Sequence, residues 1–272
     1  MKNLTHIFLC IFSFCAATLA NAQTALANFN VPAESSIPSG PQGAAIIQGK
    51  KLLSETHMLL PKNVGNGLNC TNCHLNGGTA PQAAPWVGLW GVFPEYRSRT
   101  GKLITLSQRI NDCFERSMNG QPIAYTSDEM VSMLAYIQWL STGVPTGQSV
   151  KGRGFGKVDQ KLIPDGSAGK QLYAQKCSSC HATDGAGLKN PAGGYVFPPL
   201  WGDQSFNDGA GMARTFTAAA FIRYKMPVGL EGTLTDQESL DIAEFFTHQP
   251  RPVFPNKAGD WPKGDKPKDA RN

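Results

Sequence analysis

Apolar residues in this chain recur at helical spacing, with little of the strict alternation that marks strands. Ile46, Ile47, Leu52 and Leu53 outline a helix over 44–53. A second pattern, Met130, Met133, Leu134, Ile137 and Leu140, follows Thr126-x-x-Glu129, whose spacing predicts a capping box. Further on, Ser167 opens a segment with Leu172 and Tyr173 that runs into Cys177. Leu240, Ile242, Phe245 and Phe246 then follow a further box, Thr235-x-x-Glu238. Helix, cysteine cluster, loop and capped helix therefore occur twice. The pattern predicts an all-α fold of two tandem units with long loops. Between them, 142–156 is rich in Gly, Ser and Thr and reads as a linker. Beyond Gln249 the chain is rich in Pro, Lys and Asp, with Trp261 the main apolar anchor, and it predicts a tail extended over the surface.

The first residues stand apart. Lys2, an apolar run from Ile7 to Ala20, and Ala20-Asn21-Ala22 predict a signal peptide over 1–22 and export to the periplasm. That run is too short to span a membrane, and no other run does so. The expected organisation is a first domain over 23–145, a linker over 146–164, a second domain over 165–249 and the tail over 250–272. Removing the leader deletes Cys10 and Cys15 from the 7 cysteines and lowers the formal charge of +5 by one. No basic run with interleaved aromatics is present, which excludes nucleic acid as a partner. Small anions or an acidic redox partner fit the residual charge.

The cysteines carry the chemistry. Cys70-Thr71-Asn72-Cys73-His74 and Cys177-Ser178-Ser179-Cys180-His181 are Cys-x-x-Cys-His pentads, one per unit. In such a pentad two thiols attach a haem and the adjacent imidazole takes one axial position on iron. Two covalently bound haem c groups are thus expected, each in a domain of the class I cytochrome c type. Cys70, Cys73, Cys177 and Cys180 are the attachment residues, and His74 and His181 are axial ligands.

The other axial position sets the chemistry of each iron. In the second unit, Met226-Pro227 follows His181 at a position suited to a thioether ligand, beside Lys225. An amine there must first lose its proton, which requires a dry site. The first unit has no such Met-Pro. In its place stands Cys113, the one cysteine left over, with Met118 as the competing ligand. Met130 and Met133 fit a helical core, and His57 precedes the pentad. Around Cys113 lie Arg97, Arg99, Lys102, Arg109 and Arg116, with few acids among them.

The two pentads, the segment Asn111-Asp112-Cys113-Phe114-Glu115-Arg116-Ser117-Met118-Asn119-Gly120 and Lys225-Met226-Pro227 together resemble the periplasmic dihaem thiosulfate dehydrogenases. The resemblance covers nearly the whole chain after the leader. It implies an enzyme that oxidises two thiosulfates to tetrathionate and passes two electrons to a soluble or membrane-attached cytochrome acceptor. It further implies His74 and Cys113 as the axial pair of a catalytic haem. His181 with Met226 or Lys225 becomes the pair of an electron-transfer haem, the lysine exchanging with the methionine by redox state. Arg99, Arg109 and Ser117 match substrate-pocket positions.

The basic residues suit that substrate. Two thiosulfate dianions brought to about 4 Å repel through four charge pairs of roughly 4 kcal/mol each at an effective dielectric of 20, on the order of 15 kcal/mol. Guanidinium forks offset such repulsion, with Arg99 and Arg109 the foremost candidates. Cys113 either leaves iron to form a sulfonate-bearing disulfide that a second thiosulfate attacks, or stays a fixed thiolate ligand during outer-sphere oxidation. Tetrathionate reduction is the same site run backwards. Two rival functions are a dihaem shuttle without a substrate of its own, which gives Cys113 no purpose, and a haem subunit of a sulfur-oxidising complex, which requires a partner.

Overall fold

The computed structural model describes residues 26–191 and 193–271. The expected leader over 1–22, with Cys10 and Cys15, lies outside the described residues. In chain order the helices are α1 (Pro41–Ser54), α2 (Thr56–Leu59), α3 (Leu75–Gly78), α4 (Leu106–Arg116), α5 (Asp128–Leu140), α6 (Gly166–Lys176), α7 (Ser178–His181), α8 (Thr215–Lys225) and α9 (Asp236–Thr247). Two small antiparallel hairpins interrupt them: β1 (Glu95–Arg97) with β2 (Lys102–Ile104), and β3 (Leu188–Lys189) with β4 (Tyr195–Phe197). None of the helices among the described residues is long and apolar enough to cross a membrane.

The duplication seen in the pattern is a duplication of packing. In the first unit α1 crosses α5, and in the second α6 crosses α9. Each crossing is made at a glycine. A Cβ at Gly49 would fall 1.9 Å from the Ser132 carbonyl oxygen, and one at Gly169 would fall 1.8 Å from that of Asp241. Only a residue without a side chain lets these backbones touch. Each crossing buries its own core. Leu52, Leu53, Phe114, Met130, Met133, Ile137 and Leu140 fill the first; Leu234, Leu240, Ile242, Ala243 and Phe246 fill the second. Each large apolar side chain so buried contributes about 1.5–3 kcal/mol.

Helix starts follow the capping rules with one correction. Thr235 and Glu238 form the expected box on α9. On α5 the cap is Ser127, whose hydroxyl accepts from the Met130 N–H at 3.2 Å, and not Thr126. A box absent from the pattern reading opens α4, where Thr105 and Gln108 satisfy each other's backbone N–H groups.

The linker and tail are both more involved than their composition suggests. The linker folds back on the first unit: the Gln82 and Ala84 N–H groups donate to the Gly152 and Gly154 carbonyls at 2.7 and 2.8 Å. The tail does not simply lie extended over the surface. Phe254 and Trp261 are buried, and Asp260 reaches into the first unit. Polar ties also join the units directly. Asn66 donates to the carbonyls of Ser117 and Ser205, and Asn207 donates to that of Glu115.

Candidate functional site

The two pentad histidines are held in the same way. His74 Nδ1 lies 2.6 Å from the Ala84 carbonyl oxygen and His181 Nδ1 lies 2.9 Å from that of Pro198. A carbonyl can only accept, so Nδ1 carries the proton in both rings and Nε2 is left bare for a metal. Burial pushes the His74 imidazole down to about 4, and it lowers that of His181 as well. Both rings are therefore neutral at physiological pH, as metal ligation requires. Trp86 stacks on His74 at 4.9 Å and fixes the ring plane.

A cavity opens beside the first pentad. Cys70, Cys73, His74 and Trp86 line it, and so do Cys113, Ser117 and Met118 from α4 and its C-terminal end. Apolar walls, two attachment thiols and one bare imidazole nitrogen fit a covalently held haem. Phe206 and Met212 of the second unit complete the lining, which the division into two separate haem units did not anticipate. Met130 and Met133 are fully buried in the α5 core, as expected of them. His57 is engaged with Asn69 Oδ1 at 2.9 Å.

Met118 and Cys113 share that cavity, but their surroundings differ. Met118 is packed into the core at 2% exposure. Cys113 sits one turn beyond Arg109 on α4, and Arg109 Nη1 donates to its Sγ at 3.0 Å. Electrostatic interaction with the Cys113 sulfur is the main reason the Arg109 guanidinium is held above its usual range. α4 thus presents a sulfur and a cation as one unit.

On the other side of this pair lies a second, open cleft of about 1150 Å³. Arg97, Arg99, Arg109, Arg116 and Arg214 line it, together with Ser117 and Asp112. Ser117 faces both cavities, and the Arg109–Cys113 pair spans them. Carboxylates engage most of these arginines. Arg97 pairs with Glu95 at 3.3 Å, Arg214 with Asp269 at 3.3 Å, and Arg116 with Asp260 at 2.7 Å. Arg99 lies on the turn joining β1 to β2, and Lys102, on β2, is exposed and outside the cleft. Burial pushes the Arg99 guanidinium down to about 10, so it stays charged at neutral pH.

In the second unit Cys177 and Met226 pack against the same core, beside Trp201 and Leu200. Lys225 is the last residue of α8 and Met226 the first beyond it, in extended backbone that ends the helix. No arginine–sulfur pair is found there among the described residues.

The structure therefore gathers Arg99, Arg109 and Ser117 around one cleft, with Cys113 at its boundary with the haem cavity. Pattern reading did not single out Ala84, Trp86, Met212, Arg214 or Asp260. The local signal it passed over is Thr105-x-x-Gln108, which predicts the start of α4.

Comparison with known proteins agrees with this division. The family described as SoxA/TsdA, cytochrome c domain, matches residues 61–146, and the cytochrome c family matches 166–249. Two cytochrome c domains imply haem c as cofactor. The chain is 53% identical over 241 residues to a thiosulfate dehydrogenase of Psychrobacter arcticus, covering 89% of this chain and 74% of that one. A thiosulfate dehydrogenase of Allochromatium vinosum is 48% identical over 234 residues, covering 85% and 87% of the two chains. Among solved structures, the thiosulfate dehydrogenase TsdBA of Marichromatium purpuratum superposes with a TM-score of 0.80 at 36% identity, covering 89% of this chain and 53% of that longer one. The chain belongs to the thiosulfate dehydrogenase family of c-type cytochromes.

Proposed function

We propose that this dihaem thiosulfate-oxidising cytochrome joins two thiosulfates to tetrathionate where its arginine cleft meets the first haem cavity. The observation that carries the reading is the Arg109–Cys113 hydrogen bond of 3.0 Å, with one partner lining each cavity. Cys70 and Cys73 would attach one haem, with His74 and Cys113 to bind its iron; Cys177, Cys180 and His181, with Met226 or Lys225, would hold the other. When bound, these haems accept the two electrons of the oxidation, one each.

The chain's own residues do the rest. Arg99, Arg109 and Ser117 bind sulfonate oxygens and offset the repulsion between the anions. The Cys113 sulfur and the outer sulfur of one thiosulfate form an S–S bond with loss of two electrons. The outer sulfur of a second thiosulfate attacks the sulfur that bears the sulfonate, so that tetrathionate forms and Cys113 leaves as thiolate. This second step is a thiol–disulfide exchange in form and consumes no further electrons. The electrons then pass to a cytochrome acceptor. The predicted signal peptide supports a periplasmic setting.

Purified chain given thiosulfate and an oxidised cytochrome should form tetrathionate and reduce the acceptor without a second subunit. An absolute requirement for a partner protein carrying the sulfur would favour the sulfur-oxidising complex instead. No thiosulfate turnover under any condition would favour a plain shuttle.

A further inference from the structure

The tail beyond α9 lines the arginine cleft with Trp261, and the neighbouring Asp260 carries a carboxylate that the chemistry above leaves unused. The Asp260 side chain is 6% exposed. It accepts two hydrogen bonds from Arg116, at 2.8 Å from Nη1 and 2.7 Å from Nη2, while its Oδ2 lies 3.7 Å from Arg99 Nη1. Both guanidiniums also donate to one carbonyl, that of Gly209, which belongs to the second unit. Arg99 comes from the β1–β2 turn and Arg116 from the end of α4. A single carbonyl thus binds two cations from separate segments, and a single carboxylate binds Arg116 and lies near Arg99. Trp261 tightens the hold: its backbone N–H donates to the Arg99 carbonyl at 2.8 Å, and the Arg99 guanidinium lies 4.9 Å from its ring.

The two arginines are held differently. Arg116 commits both ends of its fork to Asp260, and Phe254 covers it at 4.1 Å. Its Nη1 spends both N–H groups, on Asp260 and Gly209, so the Nη1–Nη2 edge is closed to a sulfonate and only the Nε–H and one Nη2–H remain. Arg99 is near enough to Asp260 to feel its charge, but at 3.7 Å the carboxylate takes no hydrogen bond from it. Its other N–H groups remain for a ligand in the cleft it lines.

We propose that Asp260 is a positioning residue of the substrate cleft: it holds the Nη1–Nη2 edge of Arg116 away from substrate and orients Arg99 toward the sulfonate of a bound thiosulfate. The tail is then a wall of the active site. This inference rests on the thiosulfate reading above.

Steady-state kinetics of the full-length holoenzyme test it. Asp260→Asn should raise the KM for thiosulfate about tenfold, the loss of one well-placed charge-assisted contact, with kcat within about threefold of the parent. Asp260→Glu, which restores the carboxylate one methylene longer, should recover part of that KM. Should Asp260→Asn fail to fold because Arg116 is left buried and unpaired, the double variant Arg116→Gln with Asp260→Asn removes both charges together. It should show the same rise in KM, because Arg99 has again lost its guide. A KM within twofold of the parent in either variant, or an unchanged KM with a fall in kcat alone, overturns the proposal. A parent enzyme that does not turn over thiosulfate would instead overturn the reading on which it rests.

Discussion

The two haem units are alike in how they hold the pentad histidine and unlike in the sulfur residues outside the pentads. Each presents an imidazole whose Nδ1–H is tied to a backbone carbonyl, Ala84 in one and Pro198 in the other. Each builds its core on a helix crossing closed by a glycine. Among the sulfur residues outside the pentads, however, they differ: the first unit lines its cavity with a cysteine hydrogen-bonded to an arginine at the edge of an arginine-lined cleft. The second sets Met226 at the end of α8, packed against its apolar core. A scaffold for holding an electron is common to both. On the proposed reading, substrate chemistry is added by changing one sulfur residue and its electrostatic surroundings, without rebuilding the fold.

Removing the thiolate should break this contrast most completely. Cys113→Gly is expected to lower thiosulfate oxidation by at least about a thousandfold, since no nucleophile or thiolate ligand remains. Both haems should stay attached, because attachment uses Cys70, Cys73, Cys177 and Cys180. The thiolate signature in the electron paramagnetic resonance spectrum of the oxidised protein should vanish. Full turnover by this variant would take Cys113 out of the mechanism and leave the two units equivalent.

The cation is the next distinction. Arg109→Ala should cut kcat/KM by about ten- to a hundredfold, corresponding to roughly 1.5–3 kcal/mol for a hydrogen bond to a charged group. Arg109→Lys should recover only part of this, because an ammonium keeps the charge but cannot grip Cys113 and a sulfonate with one planar fork. Kinetics equal to the parent at low and high ionic strength would mean that the basic residues form a solvated face and nothing more.

The second unit allows a converse test, with effects on potential larger than those on turnover. If Lys225 binds the oxidised iron and Met226 the reduced one, a potentiometric titration of the second haem should trace different curves on reduction and re-oxidation. Met226→Gly should then lower the potential of that haem, and Lys225→Gly should abolish the hysteresis. A parent titration without hysteresis would assign Lys225 to the solvent and leave His181 and Met226 as a simple pair.

How much of this was legible in the chain depends on whether the signal is local. The pentads, the four-residue box at Thr235 and the helical spacing of Met130 to Leu140 are short-range patterns, and each predicts its element. The linker was readable as Gly-rich, but its return to the first unit was not, since the bonds from Gln82 and Ala84 to Gly152 and Gly154 depend on the tertiary path. In the same way Asp260 and Trp261 lie far along the chain from Arg99 and Arg116, and composition alone reads their segment as a surface tail. Phe206 and Met212 reach the first haem cavity from the other unit. Residues that close a site from a distance carry no periodicity that would reveal them.

The smallest expected effect is also the finest test of the contrast, because it makes the same change at the same local motif in both units. Thr105 and Thr235 each cap a helix by accepting from the N–H three residues on, at 3.2 Å in both cases. Replacing either with Ala should lower stability by about 1 kcal/mol through loss of that bond. On α9 the loss should stop there, because the helix presents core residues such as Leu240 and Ile242 and none of the cleft. On α4 the cap governs more. The Arg109 N–H donates to the Thr105 carbonyl at 3.0 Å, so Arg109 lies in the first turn that the cap secures. Fraying of that turn loosens the guanidinium that holds Cys113 and lines the cleft. Thr105→Ala should therefore raise the KM for thiosulfate a few-fold while Thr235→Ala leaves it unchanged, at matched losses in thermal stability. Equal kinetics in the two variants would show that Cys113 and the cleft hold Arg109 in place without help from the start of its helix.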